Sequence, residues 1–383
     1  MATLERIGLN ALFVVPGETG GMETYARRLV PALAAAAPDL ELVAFVGREA
    51  LERLGPEPFG AGVRSVLAGS TANRFRRVAV EQVALPRLER GEGIDLLHSL
   101  GTTAPARPGC ASVVTIHDVI YATHPEAHTT AMRSGMRILV PLAARTADRI
   151  ITPSEAAKQD VVDRLGVPAD RVDAIYSAGG LPPGPATAED ELRRRYSLGE
   201  APLVLSVSAR RPHKNLVRLL EAFARVRREP KPLLVLPGYR TAFEDDVTAA
   251  IERLDLGERV RTLGWIPDAD LEGLYAAAAC FVFPSLAEGF GQPVLEAMER
   301  GVPVAASSTS SLPEVGGEAV LYFDPLNVEA IATAVRRLLD DPALAGRLVE
   351  AGRARAGEFS WERTARETID VYRRAFDQHG SRP

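Results

Sequence analysis

Cysteine is nearly absent from the 383-residue chain, which holds only Cys110 and Cys280. Two thiols exclude a disulfide framework and a structural zinc site, and they suit a reducing compartment. Long hydrophobic runs are missing as well. The uncharged stretch 273–287 is interrupted by Pro284 and falls short of the roughly 20 residues a spanning helix needs. The apolar start, residues 7–17, follows both Glu5 and Arg6 and precedes no small-x-small cleavage pattern. It therefore reads as the first core strand of a cytoplasmic protein and not as a secretion signal. Charge of one sign is not in excess either: 45 basic and 50 acidic residues give −5. Residues 1–180 hold 19 basic and 20 acidic groups, leaving 26 and 30 for the rest. With neither half basic, a nucleic-acid partner is disfavoured, while small anionic ligands need only a few local groups. The mixture of 46% apolar and 25% charged residues excludes wholesale disorder, collagen and coiled coil.

What is present is a repeated strand, loop and helix, the mark of an α/β fold with parallel sheets. Residues 7–15 predict a strand covered on both faces. Residues 21–36 predict a helix with Met22, Tyr25, Ala26, Leu29 and Leu33 on one side. Strands follow at 40–46, 96–98, 113–116 and 149–152, then a helix over 155–165 capped by Ser154 and a strand at 172–175. The uncharged, Gly- and Pro-rich stretch 177–188, SAGGLPPGPATA, reads as a linker. The pattern then restarts, with strands at 202–208, 232–236, 260–263, 280–284 and 303–306. Helices are expected at 216–227, 270–278, 293–300 and 328–339, with an amphipathic one at 361–376. The reading is an N-terminal domain over 1–180, a second over 181–360, and a final helix over 361–383.

In open parallel sheets ligands bind beyond the carboxyl ends of the strands, so the chemistry just after each strand matters most. The first loop carries Gly20 and Gly21 before a helix. It has neither the dinucleotide fingerprint nor a P-loop, but it lets a ligand approach the backbone. The densest motif is FPSLAEGFGQPVLEA, residues 283–297. Glu288, Gly289, Phe290 and Gly291 lie in its loop, Pro293 suits the first helical position, and Glu296 is expected in the first turn. Free N–H groups at that helix end favour a diphosphate, and a carboxylate on each side suits a sugar or ribose diol. The plainer alternative is a dipole-complementing Glu296 and a solvated Glu288. After the strand at 202–208, SVSARRPHKNL brings Arg210, Arg211, His213 and Lys214, cations that suit a departing diphosphate. In the segment TIHD, His117 ends a strand, and Asp118 either orients its imidazole or caps the next segment.

These residues together resemble glycosyltransferase family 4, the retaining GT-B enzymes that use nucleotide-activated sugars. The resemblance runs from GGMETYARRLV through TIHD, TPSEAAKQDV and RPHKNL to LGWIPDADLEGLYAAAACFVFPSLAEGFGQPVLEAMERGVPVAASSTSSLPEVGGEAVLYFDP and FSWERTARETIDVYRRA. The Glu-x7-Glu spacing with EGFG is its most specific part. It implies two Rossmann-like α/β domains facing a cleft, the first for the acceptor and the second for the donor, with the last helix crossing back to the first.

The resemblance also implies roles. Lys214 and an arginine would bind the donor diphosphate. Glu288 would meet the donor sugar beside the backbone of Gly289, Phe290 and Gly291, and Glu296 would hold the ribose. His117 would sit beside the sugar, Gly20 and Gly21 on the diphosphate side, and Trp265 and Ile266 at the nucleobase. Where the family places an arginine five residues before the motif lysine, this chain has Ala209, and Arg210 is the expected substitute. The expected activity is metal-independent hexosyl transfer from a nucleotide sugar, itself the substrate with no further cofactor, to an acceptor hydroxyl on a glycan, lipid carrier or small natural product. A GT-B epimerase and a non-catalytic sugar-nucleotide binder are the alternatives. Weak peripheral membrane contact through Arg74–Arg77 and residues 133–149 is the lesser reading, a solvated surface the greater.

Overall fold

The computed structural model describes residues 3–15, 20–71, 73–127, 129–180 and 183–381. The chain forms two compact units, Met1–Gly180 with Phe359–Pro383, and Leu181–Glu358.

In the first unit seven parallel strands run in the order β3-β2-β1-β4-β5-β6-β7. They are β1 Arg6–Asn10, β2 Glu41–Gly47, β3 Val63–Gly69, β4 Leu96–Ser99, β5 Ala111–Thr115, β6 Arg149–Thr152 and β7 Val172–Ala174. Alternation of side chains sends Ile7, Leu9, Leu42, Ala44, Leu96 and Val113 to one face, against Leu29 and Leu33 of the Gly21–Ala36 helix. Val43, Phe45 and Leu97 go to the other face under Leu85, and Val114, Ile116 and Ile150 meet Val140 and Ala144 there. Both faces are covered, as a parallel sheet requires.

The expected strand at 7–15 stops at Asn10. The Asn10 side chain bonds Glu81 and Ser99 and accepts from the Leu12 amide, so the chain turns there although residues 11–14 stay buried. Several helical stretches were not evident in the sequence. One, over 74–91, includes a π-helical turn at Val80–Ala84. Others include Thr130–Thr146, Glu244–Arg253 and Pro342–Ala356.

The Trp361–Gly380 helix belongs to the first unit. Ser360 caps it by accepting from the Arg363 amide. Trp361 Nε1 donates to the Gly179 carbonyl at 2.8 Å. Ala365, Ile369 and Tyr372 join the core beside the Gly21–Ala36 helix. The chain first passes between the units within the predicted linker, of which Leu181 and Pro182 lie outside the described residues, and returns after Glu358.

In the second unit six parallel strands run β10-β9-β8-β11-β12-β13. They are β8 Leu203–Leu205, β9 Leu233–Leu236, β10 Val260–Thr262, β11 Ala278–Phe283, β12 Val304–Ser307 and β13 Val320–Phe323. Ile331, Ala332, Val335 and Leu338, at helical spacing on the Val328–Asp340 helix, pack with Leu219, Phe223 and Val282. Truncating Ile331, Leu338, Leu219 or Phe223 to alanine would cost about 2–5 kcal/mol.

Candidate functional site

Because β8 and β11 are neighbours, the basic loop and the glycine-rich loop emerge side by side at the carboxyl end of the second sheet. Cross-bonds fix them together. Asn215 takes a left-handed conformation (φ 60°), and its Nδ2 donates to the carbonyls of Pro284 at 3.0 Å and Pro325 at 2.8 Å. The Leu286 amide donates to the His213 carbonyl at 2.7 Å. Lys214 closes the short turn Pro212–Lys214, and its Nζ donates to Glu288 Oε1 at 2.6 Å. The same ammonium lies 5.4 Å from the centre of the Phe283 ring. Two groups far apart in sequence thus form one half-buried ion pair.

Glu288 is held from behind by hydroxyls. Its amide donates to Ser310 Oγ at 3.1 Å, and Ser310 and Ser311 donate to its carbonyl. Gly291 caps the Gln292–Glu299 helix at φ 104°. A β-carbon there would come within 2.6 Å of Leu312, so backbone conformation and space both require glycine. Pro293 stands in the first turn, as expected from its fixed φ.

The helix begins at Gln292, so Glu296 lies one residue beyond the expected first turn, and that turn holds no acid. Its distance from the helix end removes the dipole-complement alternative. Glu296 instead accepts from Tyr275 OH at 3.2 Å, and burial pushes its pKa up to about 7 against some relief from Arg300.

Arg210 does not occupy the expected phosphate-binding place. It is 1% exposed, and its guanidinium donates to the carbonyls of Leu236, Gly238 and Leu263 and pairs with Glu244 at 3.0 Å. It clamps the ends of β9 and β10, a task that its planar donor fork fits. Arg211 is half-buried, and among the described residues its guanidinium has no hydrogen-bond or ion-pair partner. After the edge strand β10, Trp265 is 62% exposed while Ile266 is buried.

In the first unit Gly20 caps the Gly21–Ala36 helix at φ 55°, accepting from the amides of Glu23 and Thr24. Residues 16–19 of the expected glycine loop lie outside the described residues. His117 follows β5 and donates from Nε2 to the Leu100 carbonyl at 2.9 Å, which leaves Nδ1 as the acceptor nitrogen of the neutral ring. Burial holds its pKa below the ordinary histidine value. Tyr25 stands edge-on to the imidazole, ring centres 4.8 Å apart, so the helix begun at Gly21 supports His117. Asp118 caps the next turn through the Ile120 amide at 2.9 Å.

Two family models match: "Glycosyltransferase Family 4" over residues 19–178 and "Glycosyl transferases group 1" over 188–355. The O-antigen chain mannosyltransferase B of Escherichia coli is 37% identical over 268 residues, which span 68% of this chain and 70% of that protein. The chain belongs to glycosyltransferase family 4. Its fold is shared with the sucrose-phosphate synthase of Thermosynechococcus elongatus, at a TM-score of 0.78, 24% identity, and 97% and 99% coverage of the two chains. It is shared as well with HepE of Anabaena, solved with UDP and glucose, at 0.76, 19% identity, and 96% and 99% coverage. These are GT-B structural neighbours, and the chain is a glycosyltransferase.

Several supports of this glycosyltransferase were not named from the sequence. Ser310 and Ser311, which set the Glu288 backbone, sit in the hydroxyl-rich run after β12, a signal that could have found them. Tyr275 under Glu296, and the buried chain Tyr25–Thr115–His98–Tyr372, carry no local motif, since their partners are distant in sequence.

Proposed function

We propose that the transferase moves a hexosyl group from a nucleoside-diphosphate sugar to an acceptor hydroxyl, with retention of anomeric configuration and without a metal ion. The observation that carries this reading is the Lys214–Glu288 pair set beside the Gly291 end of the Gln292–Glu299 helix, with Glu296 one turn further in. The diphosphate is taken by Lys214, Arg211 and the amides of the helix end, which oppose charge as it develops on the leaving oxygen. Glu288 accepts from sugar hydroxyls, Glu296 from the ribose diol, and Trp265 faces the base. His117 is assigned to the sugar, offering Nδ1 as an acceptor. In the transfer, the bond from the anomeric carbon to the phosphate oxygen breaks, and its electron pair leaves with the diphosphate. The acceptor oxygen bonds to that carbon on the same face and gives its proton to the departing diphosphate. Positioning and cationic stabilisation then supply the catalysis.

The likeness to a mannosyltransferase of O-antigen chains favours a mannosyl donor and a glycan acceptor. The test is a thermal-shift panel of UDP, GDP, ADP and dTDP, followed by transfer assays with the matching sugar nucleotides in the presence of a chelator. NMR of the product reads the anomeric configuration. Inversion, or loss of activity with the chelator, overturns the corresponding part of the reading.

A further inference from the structure

We infer that the last helix fixes the place and tautomer of the His117 imidazole through four buried side chains, Tyr372, His98, Thr115 and Tyr25. They act as positioning residues, and their effect on turnover rests on the proposed place of His117 beside the donor sugar.

The four form an unbroken chain. His98 in β4, Thr115 at the end of β5 and Tyr372 are fully buried, and Tyr25 is 3% exposed. His98 and Thr115 share the alternation of Leu96 and Val113, so they face the Gly21–Ala36 helix and the last helix. His98 Nδ1 lies 2.7 Å from Tyr372 OH, and Nε2 lies 2.8 Å from Thr115 Oγ1. Thr115 Oγ1 lies 3.3 Å from Tyr25 OH. The Tyr25 ring then meets two others edge-on, with centres 4.8 Å from His117 and 5.7 Å from Trp361. Trp361 and Tyr372 both belong to the last helix. The side chains therefore make a closed circuit, which leaves that helix at Tyr372, crosses β4 and β5, and returns through Tyr25 to Trp361.

The circuit is polar where packing alone would need no polar group. Ala365 and Ile369 already bury the last helix in the apolar core, and buried hydroxyls and an imidazole cost free energy unless they are bonded. Burial, and to a lesser degree the nearby His117, hold the His98 pKa down to about 3, so the ring is neutral at neutral pH. A neutral imidazole donates from one nitrogen and accepts at the other. One of the two hydroxyls beside His98 therefore donates and the other accepts, which ties the sense of the Tyr372 bond to that of the Thr115 bond.

His117 takes both of its supports from this circuit. Its Nε2 donates to the carbonyl of Leu100 at 2.9 Å, two residues beyond His98. Its ring rests against Tyr25, whose hydroxyl is pinned by Thr115. The Nε2 bond leaves Nδ1 as the acceptor. A shift of the Tyr25 ring or of the Leu100 carbonyl turns that nitrogen away from its place, and catalysis by positioning is sensitive to such a turn.

The test uses the full chain with Tyr372→Phe and Thr115→Val, which each remove one hydroxyl and keep the shape, and with Thr115→Ser, which keeps the hydroxyl. The histidine ring nitrogens are read first, by NMR of the unliganded, nitrogen-labelled chain. His117 should show a protonated Nε2 and a bare Nδ1 in the parent and in Thr115→Ser, and mixed tautomers or exchange broadening in the other two. Turnover is then measured with the donor and acceptor that the transfer assays identify. It should fall about tenfold in kcat/KM in Tyr372→Phe and in Thr115→Val, mainly through kcat, and recover in Thr115→Ser, while nucleoside-diphosphate binding stays unchanged. In a His117→Ala background neither change should lower turnover further. His117 signals alike in every variant, full turnover in both hydroxyl-free variants, or losses that multiply with that of His117→Ala overturn the inference and leave the circuit an anchor of the helix. If His117→Ala itself keeps full turnover, it is the sugar-side role of His117 that falls, and the spectra alone decide whether the last helix places the imidazole.

Discussion

Lys214 Nζ stands 2.6 Å from Glu288 Oε1, with the two side chains 16% and 10% exposed. Each group holds the other in place, so their effects on turnover are coupled. Lys214→Ala and Glu288→Gln are each expected to lower kcat/KM by about 100- to 1,000-fold. The double variant should lose far less than the product of the two. A multiplicative loss, measured in a double-mutant cycle, would show that they act independently.

Arg210 and Arg211 are adjacent in sequence but have different tasks. Arg210 is spent on three backbone carbonyls and Glu244. Arg210→Ala should therefore destabilise the second unit by about 3–5 kcal/mol, because it leaves Glu244 without its buried partner. Arg211→Ala should leave denaturant stability unchanged and weaken nucleoside-diphosphate binding about tenfold, the worth of one charge-assisted contact. Urea titration and calorimetry of both variants check the division, and the reverse pattern would return the phosphate role to Arg210.

The legibility of the molecule follows from how local each signal is. Buried strands such as β2, β9 and β11 announce themselves as apolar runs, and Glu288, Gly291 and Pro293 as a compact motif whose backbone demands are local. The Gly21–Ala36 helix matches its predicted span. Asn10 ends β1 early through a side chain that reaches Glu81, 71 residues away, and nothing in the run 7–15 signals it. Arg210 looked like a free cation because the carbonyls it binds belong to β9 and to the turns after β9 and β10. The helices over 74–91 and Thr130–Thr146 were missed because their outer faces carry apolar residues among arginines, which blurs the helical period.

Glu296 predicts an effect of pH on stability. Its ordinary carboxyl value is 4.5, and in the folded protein it is about 7. The folded state therefore holds a proton that the unfolded chain has released between those values, and stability falls as pH rises across this window. Glu296→Gln should match the parent near pH 4.5 and exceed it above pH 7, by up to about 3 kcal/mol. Urea unfolding at both ends of the window measures this, and equal differences at the two pH values would contradict the assignment. Under the proposed function a diol needs the ionised carboxylate, so donor binding should release a proton and tighten as pH rises through 7. Calorimetry in buffers of different ionisation enthalpy reads that proton.

Trp265 and Trp361 separate cleanly by environment. Trp265 is 62% exposed, whereas Trp361 is 5% exposed and bonded to the Gly179 carbonyl. If a base stacks on the Trp265 indole, binding should quench the long-wavelength part of the emission and leave the buried component intact. Trp265→Ala should remove the quench and weaken affinity by about 1–3 kcal/mol, the range for one stacked base. A quench that survives this change would place the base elsewhere.

Tyr372 ties the last helix to the first sheet through His98, whose Nδ1 lies 2.7 Å from Tyr372 OH and whose Nε2 lies 2.8 Å from Thr115 Oγ1. The imidazole is fully buried, and burial drives its pKa down to about 3 from an ordinary 6.5. The folded state keeps His98 neutral where the unfolded chain would take a proton, so this contribution is complete above pH 6.5 and is lost as pH falls toward 3. His98→Ala leaves a cavity and the Tyr372 hydroxyl without its partner, while Thr115 keeps Tyr25, which should cost about 2–4 kcal/mol at neutral pH. It should also flatten the acid limb of the stability curve. Hydrogen exchange would then quicken across the Trp361–Gly380 helix before the rest of the unit. Unchanged exchange in that helix would mean that Trp361 and the apolar core alone hold it to the sheet.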